Sequence, residues 1–299
     1  MASSDKLRVN IVVPCYNRET TVKNAVTSIL EQDYDRFNVI VADDRSTDGT
    51  LSVLEAVSDE RLAITSNEGP KGASGARNWG VAQGSAPFVA FQDSDDVWLP
   101  GKLSKQMARL EADENLVACY CAMAIFADGK QTGRIPYGLT SRFEGDISEN
   151  VLRDSFISAQ TVIIRRDVYE KVGGMDSDYR SLNDWELMIR VSQEGPIAFV
   201  DEVLVEQHMS SNSLTHLKSS RLRSQQMIVE KHEALLEPYP EIFAFHHNRI
   251  SGALWEAGDV VEARKHAREA VRLAPFNVRY HVKNLILRFR RSNAQRLKT

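Results

Sequence analysis

The chain has 299 residues, of which 42% are hydrophobic and 26% are charged. This composition is that of a globular protein with a sizeable core. The formal net charge of −4 argues against a general nucleic-acid-binding protein, because such proteins usually carry a strong positive balance. The polar start at residues 1–6 lacks the apolar stretch of a signal peptide. No apolar run approaches the roughly 18 residues that span a bilayer, so we expect a cytoplasmic protein.

The chain contains three cysteines, Cys15, Cys119 and Cys121. A small, odd number without a spaced framework is typical of a reducing compartment. Cys119 and Cys121 are too close together for a common zinc pair, and alternation along a strand would place both on one face. We expect the cysteines to be buried thiols.

Short apolar runs alternate with helical patterns over the first hundred residues. Strands are predicted at 9–13, 37–42, 62–65 and 88–91, and helices at 22–30, 51–57 and 74–83. Ser46 or Thr47 is the expected cap of the second helix. This alternation predicts βαβ units, and therefore an α/β fold with a mainly parallel, Rossmann-like sheet.

The pattern becomes less regular after residue 99. A helix is followed by predicted strands at 117–126 and 157–164, an irregular segment at 133–150, and helices at 166–172 and 184–193. Beyond about residue 216 the chain is helical, and 253–275 resembles one tetratricopeptide-type hairpin, which cannot form a solenoid alone. We predict two domains, 1–215 and 216–299, the second acting as a helical cap or docking element.

Ligands of parallel sheets bind beyond the carboxyl ends of the strands. Three polar loops follow such ends here, at 14–18, 43–49 and 92–98. The third loop carries Asp93, Asp95 and Asp96, whose carboxylates repel one another unless a cation or hydrogen-bond donors compensate. Mg²⁺ and Mn²⁺ often bind one or two carboxylates and the phosphates of a substrate as ligands. A metal that also binds a diphosphate is one interpretation of this loop, and a solvated acidic turn that caps the next helix is the other.

Several motifs in these loops and beyond resemble those of a known family. In chain order they are VVPCYNR (12–18), VADDRSTDGT (41–50), GARN (75–78), DSDD (93–96), GGMD (173–176) and NDWEL (183–187). Over about residues 7–213 they resemble family 2 glycosyltransferases, which transfer a sugar from a nucleotide-diphosphate sugar. The resemblance implies the GT-A fold with a C-terminal helical extension.

The resemblance further implies that the first two loops hold the nucleoside of the donor. Pro14 and Tyr16 would line the base, with Tyr16 offering a ring for stacking, and Asn17 and Arg18 would complete the first loop. Asp44 would accept a hydrogen bond from the base imide, which favours a UDP or dTDP donor.

By the same likeness, Arg77 would contact the nucleotide and diphosphate, because a guanidinium suits phosphate by forked hydrogen bonding. A surface salt bridge is the alternative for this arginine. Asp93 and Ser94 would lie at the ribose or at the water shell of the metal. Asp96 would cap a helix or orient Arg77, and Asp43 is as consistent with a cap of its turn as with a nucleotide contact.

The likeness implies Mn²⁺ or Mg²⁺ as the cofactor, with Asp95 as the direct metal ligand. His208 resembles a histidine that faces the metal or diphosphate in many members. A neutral imidazole is a capable ligand, although a lone histidine is more often structural. We predict Asp95 and His208 as metal ligands.

Asp184 resembles the catalytic base of inverting members, which takes the proton from the acceptor hydroxyl as its oxygen attacks the anomeric carbon. The metal would stabilise the leaving nucleoside diphosphate. The family usually has Glu before this Asp, and Asn183 departs from that pattern. Trp185 either walls the acceptor site or packs in the core. A growing polysaccharide, a lipid-linked saccharide and a protein are all open as acceptors.

The C-terminal residues 279–299 include several basic residues and no acidic ones. Val282, Leu285, Ile286 and Phe289 form an apolar stripe among them. A basic amphipathic helix can lie on an anionic bilayer, which would give peripheral contact with the inner face of the membrane. A helix packed on the preceding hairpin with a solvated basic face is equally consistent with the pattern.

Other functional classes fit less well. A metal-dependent nucleotidyltransferase would need a Gly-rich basic loop near the first strand to hold a triphosphate, and residues 14–18 take that place. A dinucleotide oxidoreductase would need G-x-G-x-x-G after that strand. The non-enzyme alternative is an inactive nucleotide-sugar-binding scaffold, and the presence of both Asp95 and Asp184 argues against it.

Overall fold

The computed structural model describes residues 7–137, 143–209 and 214–289, except for the side chains of 214–218 and 289. The chain forms two compact units, Met1–Leu214 and Thr215–Thr299.

The first unit is built on a nine-stranded mixed sheet within the described residues, in the order β3-β2-β1-β4-β8-β6-β9-β5, with β7 paired to β6. Its strands are β1 (Val9–Cys15), β2 (Phe37–Asp43), β3 (Leu62–Ser66), β4 (Phe88–Phe91), β5 (Val97–Trp98), β6 (Ala118–Ala127), β7 (Lys130–Ile135), β8 (Val162–Arg165) and β9 (Ile197–Met209). The first four strands are parallel to one another, and β8 is antiparallel to both its neighbours. The predicted α/β class is confirmed.

Helices surround this sheet. They are α1 (Val22–Leu30), α2 (Thr50–Glu55), α3 (Ala73–Ala82), α4 (Lys102–Ala112), α5 (Ser148–Arg153), α6 (Arg166–Lys171) and α7 (Asn183–Val191). The α1 helix buries its predicted apolar face. The cap predicted for α2 at Ser46 or Thr47 is wrong, because the helix begins only at Thr50 and the Asp48 carboxylate accepts the hydrogen bond from the Thr50 N–H at 3.0 Å.

Three other expectations differ from the structure. The segment predicted to be irregular, 133–150, contains the end of β7 and the start of α5. The strand predicted at 157–164 is shorter, because a 3₁₀ turn, Ala159–Thr161, precedes β8. The 13-residue strand β9 was not predicted. Its pairing with β6 shifts register around Ala122, and such an irregularity breaks the period-two pattern from which a strand is predicted.

The core of the first unit contains all three cysteines. Cys15, Cys119 and Cys121 are at most 2% exposed and none is in a disulfide. Cys119 and Cys121 contribute to the same apolar cluster, as strand alternation predicts. Burial raises the pKa of Cys15 and of Cys119 to about 12 and that of Cys121 to about 11, so these thiols stay protonated.

The second unit is helical. Its elements are α8 (Leu214–Lys231), α9 (Glu233–Leu236), α10 (Pro240–Ala257), α11 (Val260–Leu273) and α12 (Val278–Phe289). The α10 helix ends at Ala257 and is followed by Gly258, whose φ of 90° suits glycine. Asp259 caps α11 by accepting a hydrogen bond from the Glu262 N–H at 3.1 Å. Ala263, Ala267 and Ala270 form the buried side of α11.

No helix among the described residues combines the length and the apolarity needed to cross a bilayer. The predicted amphipathic helix near the C-terminus is present as α12. The basic residues predicted beyond it, Arg290, Arg291, Arg296 and Lys298, lie outside the described residues.

Candidate active site

The loop after β1 is fixed against the loop after β2. Asn17 has a φ of 52°, a left-handed conformation that asparagine tolerates better than most residues. Its side-chain oxygen accepts a hydrogen bond from the Thr47 N–H at 2.8 Å, and its own N–H donates to the Ser46 hydroxyl at 2.9 Å. The Arg18 N–H donates to the Thr50 hydroxyl at 2.7 Å. Asn17 therefore shapes the loop that presents its two neighbours.

Tyr16 is the exposed aromatic side chain of this loop. Its side chain is 44% exposed, and the ammonium of Lys71 lies 5.1 Å from the ring centroid. Pro14 is buried inside β1, where it is aligned with Ala42 of β2. A planar base can stack on the free area of the tyrosine ring, whereas Pro14 acts mainly by fixing where the loop begins.

The two aspartates after β2 have different partners. The Asp43 carboxylate accepts hydrogen bonds from the N–H groups of Arg45 and Ser46 at 3.1 and 3.0 Å, so it caps its own turn. Asp44 is 5% exposed and accepts from the Asn67 amide and the Gly72 N–H, each at 2.8 Å. Since a carboxylate has about four acceptor sites, these two bonds leave Asp44 capacity for a further donor.

The segment around Pro70 lies directly on the first turn of α3. A β-carbon at Gly75 would come within 1.8 Å of the Pro70 carbonyl oxygen. Only glycine permits this approach. The glycine of the GARN motif therefore lets the loop that contacts Asp44 lie beside the helix that carries Arg77.

Arg77 and Asp93 form an ion pair at the carboxyl end of β4. Arg77 is 5% exposed, so this pair is not the surface salt bridge that was the alternative. One guanidinium nitrogen lies 3.9 Å from the Met175 sulfur, and within the described residues the buried Nε has no hydrogen-bond partner. Arg77 thus retains a buried N–H for a further acceptor, which suits an anionic ligand.

Asp95 lies beside Arg18 in the acidic loop. A guanidinium nitrogen of Arg18 is 3.5 Å from the Asp95 carboxylate, and the two side chains are 43% and 41% exposed. Burial raises the pKa of Asp95, the Asp93 charge raises it further, and Arg18 lowers it. The arginine therefore offsets part of the repulsion in the loop.

Asp96 connects the acidic loop to β9. Its carboxylate accepts hydrogen bonds from the His208 N–H and the Gln160 amide, each at 3.0 Å. Burial, with the charge of Asp93, raises the pKa of Asp96 to about 8. The predicted roles of Asp96 as a helix cap or as an orienter of Arg77 are wrong, because its partners lie on β9 and in the turn before β8.

The imidazole of His208 stacks on Phe126, with ring centroids 5.4 Å apart. Its Nε2 lies 3.6 Å from the Glu206 carboxylate. Only the backbone of His208 contacts Asp96, so the structure brings His208 to the acidic loop through its N–H.

Among the described residues, no group of three His, Cys, Asp or Glu side chains forms an arrangement that could hold a metal ion. The donors available at the acidic loop are the carboxylates of Asp93 and Asp95. This set fits Mg²⁺ or Mn²⁺, which commonly bind through one or two carboxylates and complete their shells with water and substrate phosphates.

Asp184 lies in the first turn of α7, which begins after the left-handed Leu182 with a φ of 59°. The Asp184 carboxylate is half-buried and accepts a hydrogen bond from the Trp185 N–H at 2.8 Å. The neighbouring Asn183 amide donates to the Ser74 hydroxyl at 2.8 Å. Because Ser74 is in the first turn of α3, this contact fixes the predicted base to the helix that carries Arg77.

Two residues of the quoted motifs, Asn78 and Glu186, and the later Arg190 have roles that were not predicted. Asn78 bonds both to the Met175 carbonyl at 2.7 Å and to the Met175 N–H at 2.9 Å. Arg190 donates to the Gly174 carbonyl at 2.9 Å and pairs with the fully buried Glu186. Together they hold the GGMD turn next to Arg77. The positions of Asn78 and Glu186 inside motifs were the available signal.

Both tryptophans near the site are core residues. Trp185 is 3% exposed and its ring N–H donates to the Val151 carbonyl at 2.6 Å, which supports core packing rather than an acceptor wall. Trp98 is 2% exposed and donates to the Gln160 carbonyl at 3.1 Å. The ammonium of Lys102 lies 3.8 Å from the Trp98 ring centroid.

Comparison with known sequences places this site in a family. The model of the family "Glycosyl transferase family 2" matches residues 10–173. The Escherichia coli protein WfgD, named a UDP-Glc:alpha-D-GlcNAc-diphosphoundecaprenol beta-1,3-glucosyltransferase, is 27% identical over 225 residues, which are 74% of this chain and 85% of that protein. The Bacillus subtilis protein TuaG, named a putative teichuronic acid biosynthesis glycosyltransferase, is 28% identical over 215 residues, or 70% and 82% of the two chains.

Solved structures share the fold. Staphylococcus aureus TarS 1–349 in complex with UDP has a TM-score of 0.65 and 19% sequence identity, covering 90% of this chain and 81% of that one. The mannosyltransferase PcManGT from Pyrobaculum calidifontis, in complex with GDP-Man and Mn²⁺, has a TM-score of 0.63 and 19% identity, covering 95% and 85%. The GT-A fold implied by the sequence motifs is confirmed.

Proposed function

Because the chain belongs to glycosyltransferase family 2, we propose that it transfers a sugar from a UDP-sugar to an acceptor hydroxyl with inversion at the anomeric carbon. The observation that carries this proposal is the convergence of two helices. The first turn of α3, which precedes the buried Arg77 and its pair with Asp93, is bonded through Ser74 to Asn183, the neighbour of Asp184. Transfer of a sugar to a hydroxyl requires an arginine that binds the diphosphate and a general base at fixed positions. Here the two lie on helices that are bonded directly to each other.

The donor binds along the carboxyl ends of β1, β2 and β4. Tyr16 stacks on the base and Asp44 accepts the imide N–H, which selects a uracil or thymine nucleotide. Arg77 uses its buried N–H for the diphosphate, and Asp93 and Ser94 contact the ribose or metal-bound water. The UDP-glucose in the name of WfgD and the UDP bound to TarS support a uridine donor.

Asp95 would hold Mn²⁺ or Mg²⁺, and His208 is a second candidate ligand whose imidazole would have to leave Phe126. A bound divalent cation supplies Lewis-acid stabilisation to the departing diphosphate. The Mn²⁺ in the PcManGT complex supports a cation in this fold. Arg18 lies beside Asp95, where its guanidinium offsets part of the repulsion among the carboxylates of the loop.

Asp184 acts as the general base. Its carboxylate takes the proton of the acceptor hydroxyl while that oxygen forms a bond to the anomeric carbon. The bond from the anomeric carbon to the phosphate oxygen breaks with its electron pair leaving on UDP. Because attack and departure occur on opposite faces, the anomeric configuration inverts.

The acceptor is a lipid-linked saccharide in polysaccharide or glycoconjugate biosynthesis, at the cytoplasmic face of the membrane. The diphosphoundecaprenol acceptor in the name of WfgD and the teichuronic acid pathway in the name of TuaG support this choice. A polysaccharide end or a protein would present the same hydroxyl chemistry.

Thermal-shift measurements with UDP-glucose, UDP-GlcNAc, GDP-mannose and dTDP-glucose, each with and without Mn²⁺, test the donor assignment. Linkage raises the melting temperature only for nucleotides that bind the native state. We expect stabilisation by UDP-sugars that increases with Mn²⁺. Stabilisation by GDP-mannose alone would contradict the role of Asp44.

Asp184→Asn tests the reaction. It should keep UDP-sugar binding and lower transfer roughly 10²–10⁴-fold, which is the usual contribution of a general base. Asp178→Asn, on an exposed residue before the same helix, is the matched control and should transfer normally. Equal activity of Asp184→Asn and the wild type would exclude Asp184 as the base, and a wild type that binds donor without transfer would favour the inactive scaffold.

A further inference from the structure

The C-terminal helix α12 is fixed to the helical hairpin along one side. Leu287 is 4% exposed, and the Lys283 ammonium donates to the Asn248 carbonyl of α10 at 2.6 Å. The Arg264 guanidinium on α11 donates to the Leu287 carbonyl at 2.7 Å, which satisfies the last turn of α12. The rotation of α12 about its own axis is therefore set by the hairpin.

This fixed rotation leaves apolar side chains in solvent. The α12 face consists of four exposed large apolar residues of the helix, Val278 (72% exposed), Val282 (50%), Leu285 (55%) and Ile286 (42%), together with Phe276 (95%) in the turn before it. Positions 278, 282 and 285 are four and three residues apart, so they lie in one row along the helix. A contiguous exposed apolar face rimmed by polar residues marks an interaction site rather than chance exposure.

The charges that border the α12 face are mainly positive. Arg279 and Arg288 are both exposed, and Arg288 lines a hollow of about 410 Å³ with Val282 and Leu285. Glu241 is the carboxylate beside Phe276, at the other end of the face. Residues 279–299 contain no acidic residue. An apolar row with arginines at its border is complementary to a surface that has an apolar interior beneath a layer of negative charge.

We propose that the α12 face docks onto an anionic lipid bilayer. Phe276, Val282 and Leu285 enter the boundary between headgroups and acyl chains, while Arg279 and Arg288 contact lipid phosphates. A second copy of the chain is the weaker partner, because a two-fold contact through this face would bring like-charged arginines together. The inference deepens the proposed function, since it rests on a membrane-borne acceptor.

Vesicle flotation with the full chain tests this docking without donor or acceptor. The vesicles contain phosphatidylcholine alone or an equal mixture with phosphatidylglycerol, at low and high salt. We expect binding to the mixed vesicles that weakens with salt. Val282→Ser with Leu285→Ser should reduce the partition coefficient roughly tenfold or more, and Arg279→Gln with Arg288→Gln should do so only on anionic vesicles.

Val261→Ser is the matched control, because Val261 is 74% exposed but lies on α11, and it should bind vesicles as the wild type does. Circular dichroism melting identifies any variant that fails to fold, and the arginine pair then provides the independent test. Equal vesicle binding by the wild type and both double variants would overturn the proposal. So would a lack of wild-type binding accompanied by a dimer that the serine variant abolishes.

UDP titration of the same variants separates this inference from the proposed function. Normal UDP binding with lost vesicle binding would support the α12 face as the membrane contact. Normal UDP binding in a wild type that ignores vesicles would overturn the docking and leave the donor assignment intact.

Discussion

The side-chain amide of Asn183 donates a hydrogen bond to the Ser74 hydroxyl across 2.8 Å, and this bond joins the first turns of α7 and α3. The Asn183 oxygen also accepts from the Asp184 N–H at 2.9 Å. The residue at which the chain departs from the family pattern therefore has a defined positioning role. A glutamate at 183 would be unable to donate this bond when ionised.

We predict that Asn183→Ala and Ser74→Ala each lower kcat with little change in UDP affinity, because both release the helix that carries Asp184. Loss of one such hydrogen bond should cost about 0.5–1.5 kcal/mol of stability. A double-mutant cycle in urea unfolding and in kcat measures the coupling. Strictly additive effects in both measurements would contradict a shared role.

Gly75→Ala should destabilise the protein by about 1–3 kcal/mol or more, because a methyl group has no room in this tightly packed position. The added carbon would lie 1.8 Å from the Pro70 carbonyl oxygen. UDP affinity should fall as well, since the displaced segment bonds to Asp44. Gly69→Ala is the control, where the added carbon meets the Asn67 side-chain oxygen at 3.3 Å and a carbon of the Trp79 ring at 4.0 Å. Urea unfolding and UDP titration are the measurements, and equal stability of the two variants would contradict the packing argument.

Lys102 should make stability depend on pH in the alkaline range. It is fully buried, and burial lowers the pKa of its ammonium from 10.5 to about 8. The unfolded chain then binds more protons than the native state between about pH 8 and 10.5, so the stability contribution of Lys102 rises with pH across that window. A shift of this size corresponds to roughly 3 kcal/mol.

Lys102→Met removes this titration while keeping most of the side-chain volume. The difference in unfolding free energy between Lys102→Met and the wild type should favour methionine at pH 7 and narrow by pH 10. Urea unfolding at both pH values measures this difference. The contributions of the other titrating groups to the unfolding free energy cancel in it, because both proteins share those groups. A difference that does not change with pH would show that the pKa of Lys102 in the native state is not lowered.

Arg77→Lys should weaken UDP binding roughly tenfold or more, because an ammonium keeps the charge but loses the planar fork for the diphosphate. Arg61→Lys is the control, since Arg61 forms a similar pair with Asp59 at 2.7 Å just before β3 begins. Calorimetric titration with UDP and Mn²⁺ compares them. Retention of full affinity in Arg77→Lys would show that Arg77 serves only to pair with Asp93.

The first half of the fold could be predicted because each element has a strong local pattern. The buried strand Val9–Cys15 and the helix Val22–Leu30 differ from their predicted bounds by two residues at most. Strand β9 could not be predicted in the same way. Its pairing with β6 shifts register near Ala122, and the charged pair Asp201–Glu202 interrupts its apolar alternation.

The candidate site, like the fold, could be predicted only in part. The loops after the parallel strands β1 and β4 had to share one edge of the sheet, so the proximity of Arg18 to Asp95 follows from topology. The partners of Asp96 did not follow, because they depend on the end of the unpredicted β9. The family motifs identified Asp184, but they gave no sign that its neighbour bonds to α3.

Every thiol in the chain is buried and held in its protonated form. Alkylating and oxidising reagents attack the thiolate of accessible cysteines, so the native chain offers them no good target. A cysteine introduced at an exposed position would therefore be the one reactive thiol in the molecule. Fluorophores and spin labels can be attached at chosen points, on the α12 face or beside Tyr16, without first replacing any native cysteine.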